Sequence, residues 1–244
     1  MNPEVHAMLP DRPAPATPDP QGRARRFADR RDAGRRLADH LAAYAHRDDV
    51  VVLALPRGGV PVATEVARIL EAPLDILVVR KLGLPGQPEY AMGAIASGDV
   101  RVINLQVVQQ LAISYSAIDM VTRAETRELQ RREKLYRGDR PTTPVRGRQV
   151  ILVDDGMATG ASMRAAVLAL RELGPSRIVA AVPVSSPETC QLLAQDADEV
   201  LCALTPDRFR SVGQWYERFD QTTDDEVRRL LAAQPRERRE ENVS

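Results

Sequence analysis

Three stretches of this chain are almost wholly apolar, and none of them alternates apolar with polar residues. They are VVVLAL at 50–55, QVILV at 149–153 and RIVAAVPV at 177–184. A strand with one face in water alternates, so an unalternated run predicts a strand that is covered on both faces. Helical spacing follows each run, which predicts an α/β fold with a doubly wound, mostly parallel sheet.

The rest of the chain continues this alternation of strands and helices. Further strands are predicted at 74–79, 100–104 and 199–203, and helices are predicted within 27–48, from Pro61 onward, at 116–138, at 161–173, at 187–195 and in the VRRLLAA stretch near the end. The helix at 116–138 is densely charged, which is typical of a solvated face.

The ends of the chain differ in composition from the middle. Residues 1–22 hold six prolines and few large apolar groups, so we expect them to be disordered. Residues 234–244 form a charged tail of the same kind. The remaining 23–233 are enough for one sizeable α/β domain.

Charge and hydropathy exclude several kinds of partner. The 34 basic and 34 acidic residues give no net charge, so we expect no nucleic-acid partner. No apolar run approaches the roughly 20 residues that span a bilayer, so we expect no membrane partner. Cys190 and Cys202 have no ligand spacing and lie in apolar surroundings, which predicts packed thiols in a reducing compartment. Together these features predict a cytoplasmic protein.

Loops that follow the predicted strands are the places to look for a ligand. In open parallel sheets ligands bind outside the carboxyl ends of the strands. Three loops leave such ends, at 56–60, 80–92 and 154–162. The second has glycines and prolines throughout, which is typical of an active-site lid.

The third loop, in VILVDDGMATGAS at 150–162, places two acids directly before a run of small residues. Small residues at a helix N-terminus let backbone N–H groups bind an anion, and Thr159 and Ser162 add hydroxyl groups. Asp154 and Asp155 can accept hydrogen bonds from a vicinal diol, or hold magnesium through water. A ribose 5-phosphate fits both features. The loop is neither a P-loop nor a dinucleotide fingerprint.

This motif resembles the signature of type I phosphoribosyltransferases. The resemblance covers roughly 50–185 and implies that Asp154 and Asp155 meet the ribose hydroxyls of phosphoribosyl pyrophosphate, with Mg²⁺ as cofactor. It implies that the 5-phosphate is bound by Gly156, Met157, Ala158, Thr159, Gly160, Ala161 and Ser162. PRGGVP at 56–61 resembles the family's pyrophosphate loop, so Arg57, Gly58 and Gly59 are expected to bind pyrophosphate.

The resemblance also implies a lid, a hood and a reaction. Residues 81–92 would form the flexible lid, with Lys81 as a donor to pyrophosphate. The terminal segments (27–48 and 205–220) would form the hood that recognises the acceptor. The implied enzyme is a homodimer that transfers ribose 5-phosphate to a nucleobase-like nucleophile.

Several alternatives remain open from sequence. Family members that use 6-oxopurines carry an Asp where Ala158 stands, so Ala158 argues against hypoxanthine or guanine. The same loss is compatible with a regulatory protein that binds the activated sugar or a nucleotide without turnover, and a phosphoanhydride hydrolase is a third class. Asp154 and Asp155 could also be receiver-domain acids, but those follow the first strand of their domain. Trp215 and Tyr216 could stack on a base or belong to the core.

Overall fold

The computed structural model describes residues 26–84 and 86–234. The predicted disordered segment 1–22 lies outside the described residues, and so does the charged tail apart from Gln234. The strands are β1 (Val50–Ala54), β2 (Leu74–Ile76), β3 (Val79–Leu84), β4 (Gln87–Ala96), β5 (Val100–Ile103), β6 (Gln149–Val153), β7 (Arg177–Val184) and β8 (Glu199–Leu204). The helices are α1 (Arg30–His40), α2 (Gly59–Leu70), α3 (Leu105–Gln110), α4 (Tyr115–Arg137), α5 (Ala161–Glu172), α6 (Pro187–Leu193) and α7 (Asp224–Ala232).

The main sheet is parallel throughout, in the order β2-β1-β6-β7-β8, and this confirms the predicted doubly wound α/β fold. Every residue of β1 is buried. Val50, Val52 and Ala54 pack into the core beneath α1 and α2, while Val51 and Leu53 pack into the core beneath α5. Both faces are therefore covered, which explains the unalternated apolar runs.

The predicted lid is folded rather than irregular. Residues 81–84 lie in β3 and residues 87–92 lie in β4; these strands pair antiparallel and form a second sheet with β5. The register shifts on either side of Gly83, and Gly86 has φ 77° at the turn. Gly83 and Gly86, which suggested a loop, thus belong to a bulged hairpin. This second sheet packs against α4 and α5.

Two further sequence predictions need correction. The predicted strand 74–79 divides into β2 and the start of β3, which belong to different sheets. Between them, the N–H of Leu77 donates to the carbonyl of Ala54 at 3.0 Å, and the N–H of Val78 donates to the hydroxyl of Ser97 at 3.0 Å. The prediction of two separate thiols is wrong, since Cys190 of α6 and Cys202 of β8 are joined by a disulfide.

The two terminal segments of the predicted hood (27–48 and 205–220) meet. Phe27 forms a parallel bridge with Tyr216, and its N–H donates to the carbonyl of Trp215 at 2.8 Å. Phe27 and Tyr216 are both fully buried, in a small apolar cluster with Val184 at the end of β7. The terminal segments therefore lie together over the carboxyl end of the sheet. No helix of the described residues is long and apolar enough to cross a bilayer.

Close packing of α1 on α2 gives a test of this fold. A Cβ added at Gly34 of α1 would lie 2.5 Å from the carbonyl oxygen of Val62 in α2. Helix propensity favours Ala over Gly by about 1 kcal/mol, but overpacking costs about 1–3 kcal/mol. We expect Gly34→Ala to lower the free energy of unfolding by roughly 1–2 kcal/mol in urea titrations.

Asp39→Ala, on the exposed face of α1, is the matched control and should change that free energy little. A Gly34→Ala protein more stable than the wild type would contradict the described helix contact.

Candidate functional site

The loops after β1 and β6 lie side by side at the point where the strand order reverses. β1 pairs with β2 on one side and with β6 on the other, and Ala54 lies opposite Val153 in the register. The N–H of Leu55 continues the pairing by donating to the carbonyl of Val153 at 2.8 Å. Such a switch point is where open parallel sheets bind ligands. The structure therefore brings the predicted pyrophosphate loop against the predicted sugar-phosphate loop.

Two glycines make this approach close. A Cβ added at Gly58 would lie 2.1 Å from Oδ2 of Asp155, and a Cβ added at Gly59 would lie 2.7 Å from the carbonyl oxygen of Val153. No larger residue fits either position without displacing its neighbour. The peptide bond between Pro56 and Arg57, just before these glycines, is cis. The RGG triplet thus places backbone directly beside a carboxylate.

The two acids are half-buried and each has a defined partner. Asp154 Oδ1 accepts the backbone N–H of Asp155 at 2.8 Å, and Asp155 Oδ2 accepts Nε of Arg30 at 2.8 Å. Burial raises the pKa of Asp154 well above its usual value, and the neighbouring charge of Asp155 raises it further. Burial also raises the pKa of Asp155, while Arg30 acts to lower it. The pair is therefore a compact acidic site whose like charges are partly offset by one guanidinium.

The loop after the acids leads into the first turn of α5. Gly160 precedes the helix with φ 71°, and the N–H groups of Ala158, Thr159 and Gly160 donate to no other group of the described residues. The carbonyl of Ala158 accepts the hydroxyl of Thr189 at 3.0 Å, which fixes the loop to α6. Free N–H groups at a helix N-terminus favour an anion.

Met157 differs from the other residues of this loop. Its side chain is buried, and its N–H donates to the carbonyl of Val184 in β7 at 3.0 Å. Met157 therefore anchors the loop to the sheet, and its N–H is not available to a ligand in this arrangement. Thr159, Ala161 and Ser162, in contrast, are exposed.

The two predicted cations lie in different surroundings. Lys81 of β3 lines a cavity of about 590 Å³ together with Thr159, Gly160 and Ala161, so the hairpin brings it beside the predicted phosphate-binding loop. Neither the acid pair nor Arg57 lines that cavity. Nη1 of Arg57 lies 3.6 Å from Oδ1 of Asp224, at the start of α7.

The hood supplies contacts that sequence reasoning did not identify. The hydroxyl of Tyr216 donates to the backbone carbonyl of Asp155 at 2.6 Å, and the ring packs on Phe27 and Phe219 with centroids 5.3 and 4.8 Å away. Tyr216 is thus a core residue that supports the site.

Trp215 is half-buried, and its Nε1 has no hydrogen-bond acceptor among the described residues. Arg30 is 125 positions from Asp155, so no local pattern could have linked them.

The two acids are suited to a magnesium ion that a phosphorylated ligand also binds. Within 26–84 and 86–234 no group of three or more His, Cys, Asp or Glu side chains is placed to hold a metal. Mg²⁺ is commonly held by one or two carboxylates, several waters and the phosphates of a ligand. Asp154 and Asp155 fit that kind of binding, with contact through water.

Comparisons with known proteins found a matching family model and similar proteins. The model of the phosphoribosyl transferase domain family matches residues 29–215. A protein of Mycobacterium tuberculosis, provisionally named a phosphoribosyl transferase, is 51% identical over 201 residues, which are 82% of this chain and 45% of that protein. The chain thus spans about half the length of the curated relatives it matches. A crystal structure of a Thermus thermophilus protein is 44% identical, with a TM-score of 0.77, and the match covers 84% of this chain and 97% of that one.

The like charges of the acid pair predict a stability effect. Because the folded state raises the pKa of Asp154, its favourable contribution is complete below the unfolded pKa and is lost as the pH rises through the folded pKa. Asp154→Asn removes the charge and can still accept the N–H of Asp155. At pH 8 we expect the free energy of unfolding of this variant to exceed that of wild type by on the order of 1 kcal/mol, and its unfolding temperature to be higher, with a smaller gain at pH 5.

Thermal unfolding at both pH values checks this expectation. Asp139→Asn, at an exposed position, is the control for loss of one negative charge. A gain at pH 5 that equals or exceeds the gain at pH 8 would show that the two acids do not repel each other as described.

Proposed function

We propose a sugar-transfer reaction for this chain, which belongs to the phosphoribosyl transferase domain family. Ribose 5-phosphate passes from phosphoribosyl pyrophosphate (PRPP) to a nucleobase-like nucleophile, and pyrophosphate is released. The observation that carries the proposal is the contact of Gly58 with the carboxylate of Asp155. It joins a loop suited to pyrophosphate to a loop suited to a sugar phosphate, at the reversal of strand order.

The proposed ligand spans both loops. Its 5-phosphate binds at the first turn of α5, where the N–H groups of Ala158, Thr159 and Gly160 and the hydroxyl of Thr159 are available. The two ribose hydroxyls donate to Asp154 and Asp155, which directly precede that turn. Pyrophosphate then lies over the backbone of the Gly58–Gly59 loop, where the absence of side chains permits close approach.

Charge development explains why cations are needed near this site. As the bond between C1 and the pyrophosphate oxygen breaks, positive charge grows on the ribose and negative charge on the leaving group. Arg57 can meet that negative charge, since its pair with Asp224 is 3.6 Å long and partly exposed, so turning away costs little. Lys81 approaches from the hairpin, on the side of the phosphate-binding loop.

Magnesium belongs to the proposal as a cofactor. When bound with the pyrophosphorylated sugar, it would neutralise charge on the leaving group. Asp154 and Asp155 would hold it through water, as their fit with this ion suggests. A cytoplasmic location is also part of the proposal, and the Cys190–Cys202 disulfide weighs against it, because disulfides are rare in reducing compartments.

An acceptor is not specified by the site. Ala158 supplies no acid to bind or deprotonate a base, and the hood contacts at the acid pair come from Arg30 and Tyr216. The proposal is therefore a transferase whose acceptor must be found by screening.

Substitution of Asp155 tests the proposed reaction. Asp155→Asn removes a charged acceptor for the ribose hydroxyls, and we expect kcat/KM for pyrophosphate release to fall about 100-fold or more. The measurement is pyrophosphate release from PRPP with magnesium across a panel of bases. Asp139→Asn, at an exposed position outside both loops, serves as the control and should keep wild-type activity.

Three outcomes separate the proposed enzyme from the other classes. Full turnover by Asp155→Asn would contradict the assigned role of the acid pair. Tight PRPP binding without release by the wild type, with every acceptor, would favour a regulatory protein. Release without any acceptor would favour a hydrolase.

A homodimer is the proposed assembly, and residues 105–120 are its proposed surface. Leu105, Leu111, Tyr115 and Met120 have between 56% and 77% of their surface exposed, and α3 buries no residue. The segment carries a single charge, at Asp119, in a chain with 28% charged residues. Exposed apolar patches mark interfaces, and a twofold axis brings such a patch against itself without charge repulsion.

A charge placed in this surface should separate the protomers. We expect wild type to have twice the 26.9 kDa chain mass by light scattering, and Met120→Glu to be monomeric. Gln130→Glu adds the same charge at an exposed position of α4 outside the segment and should stay dimeric. A monomeric wild type, or a dimeric Met120→Glu, would rule out this surface.

A further inference from the structure

Arg30 makes three separate contacts with the parts of the molecule that enclose the acid pair. Its Nε donates to Oδ2 of Asp155 at 2.8 Å, and its Nη1 donates to the carbonyl of Asp220 at 2.6 Å. The guanidinium lies over the ring of Phe219, 4.0 Å from the centroid. Only 12% of the Arg30 side chain and 16% of the Asp155 side chain is exposed. A guanidinium held in this way has one orientation, which a mobile surface ion pair does not.

The hood thereby binds both the carboxylate and the backbone carbonyl of Asp155. Arg30 binds its carboxylate from α1, and Tyr216 binds its backbone carbonyl from the C-terminal segment. The same carboxylate oxygen that accepts from Arg30 lies against Gly58. Oδ1 of Asp155 accepts no hydrogen bond within the described ranges, so it remains available to a hydroxyl group.

We propose that Arg30 is a positioning residue that fixes the carboxylate of Asp155 between the two loops and tunes the acid pair toward sugar hydroxyls. The proposal rests on the proposed sugar-binding role of that pair. Arg30 occupies Oδ2 and presents Oδ1, so the carboxylate does not have to be ordered when the sugar binds. Its positive charge also offsets negative charge on the pair, which weakens the direct attraction of a bare divalent cation.

Removal of Arg30 should therefore act on sugar binding more than on the chemical step. We expect Arg30→Gln to raise KM for PRPP about tenfold, the size of one lost charge-assisted hydrogen bond, with a smaller change in kcat. Arg30→Lys keeps the charge but cannot bind Asp155 and Asp220 in one plane, and it should be intermediate. Arg31→Gln, the exposed neighbour on α1, is the matched control and should keep the wild-type KM.

Manganese titration gives a readout that loss of packing would not produce. With Mn²⁺ alone and no sugar, we expect Arg30→Gln to bind the ion more tightly than wild type, because the acid pair loses its counter-charge. Equal KM for PRPP in wild type and Arg30→Gln, or unchanged Mn²⁺ affinity, would overturn the positioning role. If Arg30→Gln does not fold, the same comparisons are made with Arg30→Lys.

A failure of the proposed function can be distinguished from a failure of the positioning role of Arg30. A wild-type protein that binds no PRPP would exclude the phosphoribosyltransferase reaction whatever Arg30 does. The positioning of Asp155 is then decided by crystal structures of wild type and Arg30→Gln. We expect the carboxylate to leave Gly58 in the variant, and a carboxylate that stays in place would show that Arg30 does not position it.

Discussion

The close approach of Asp155 to Gly58 is the contact on which the rest of the site depends. It exists because β1 and β6 are parallel neighbours in register, so their following loops leave the sheet at the same edge. It is possible only because position 58 has no side chain, since any Cβ there would lie 2.1 Å from a carboxylate oxygen. A ligand with two charged ends can then contact both loops at once, which neither loop could offer alone.

This arrangement carries an electrostatic cost. Two adjacent carboxylates are half-buried, and their burial raises the pKa of both. The terminal segments offset that cost, because Arg30 supplies the opposing charge and Tyr216 holds the backbone. The hood therefore contributes to the acid pair, and the site is complete only when the segments that carry Arg30 and Tyr216 are both folded. Local strain and unfavourable charge are common where a protein has a function to serve.

Much of the fold could be predicted because the controlling patterns are local. Unbroken apolar runs identified β1, β6 and β7, and helical spacing identified α5 within one residue of its end. The hairpin of β3 and β4 was not predicted, since a bulge at Gly83 and a turn at Gly86 break the period of two. The division of 74–79 could not be predicted either, because the chain passes there from one sheet to the other, where Val78 bonds to Ser97, 19 positions away.

The site was predicted only as far as its motifs extend. The acids and the glycines lie in short recognisable stretches, and the structure places them together. Met157 lies in the same motif but packs into the core, so a motif alone does not separate anchors from ligand contacts. Arg30 has no motif, since its role follows from the meeting of distant segments.

A crystal structure of the wild-type protein with magnesium and phosphoribosyl pyrophosphate is the most direct test of the central claim. The account predicts the 5-phosphate at the first turn of α5, the ribose hydroxyls on Asp154 and Asp155, and the pyrophosphate over Gly58 and Gly59. A bound ligand whose ribose hydroxyls do not contact Asp154 or Asp155, and whose pyrophosphate does not lie over Gly58 and Gly59, would contradict it.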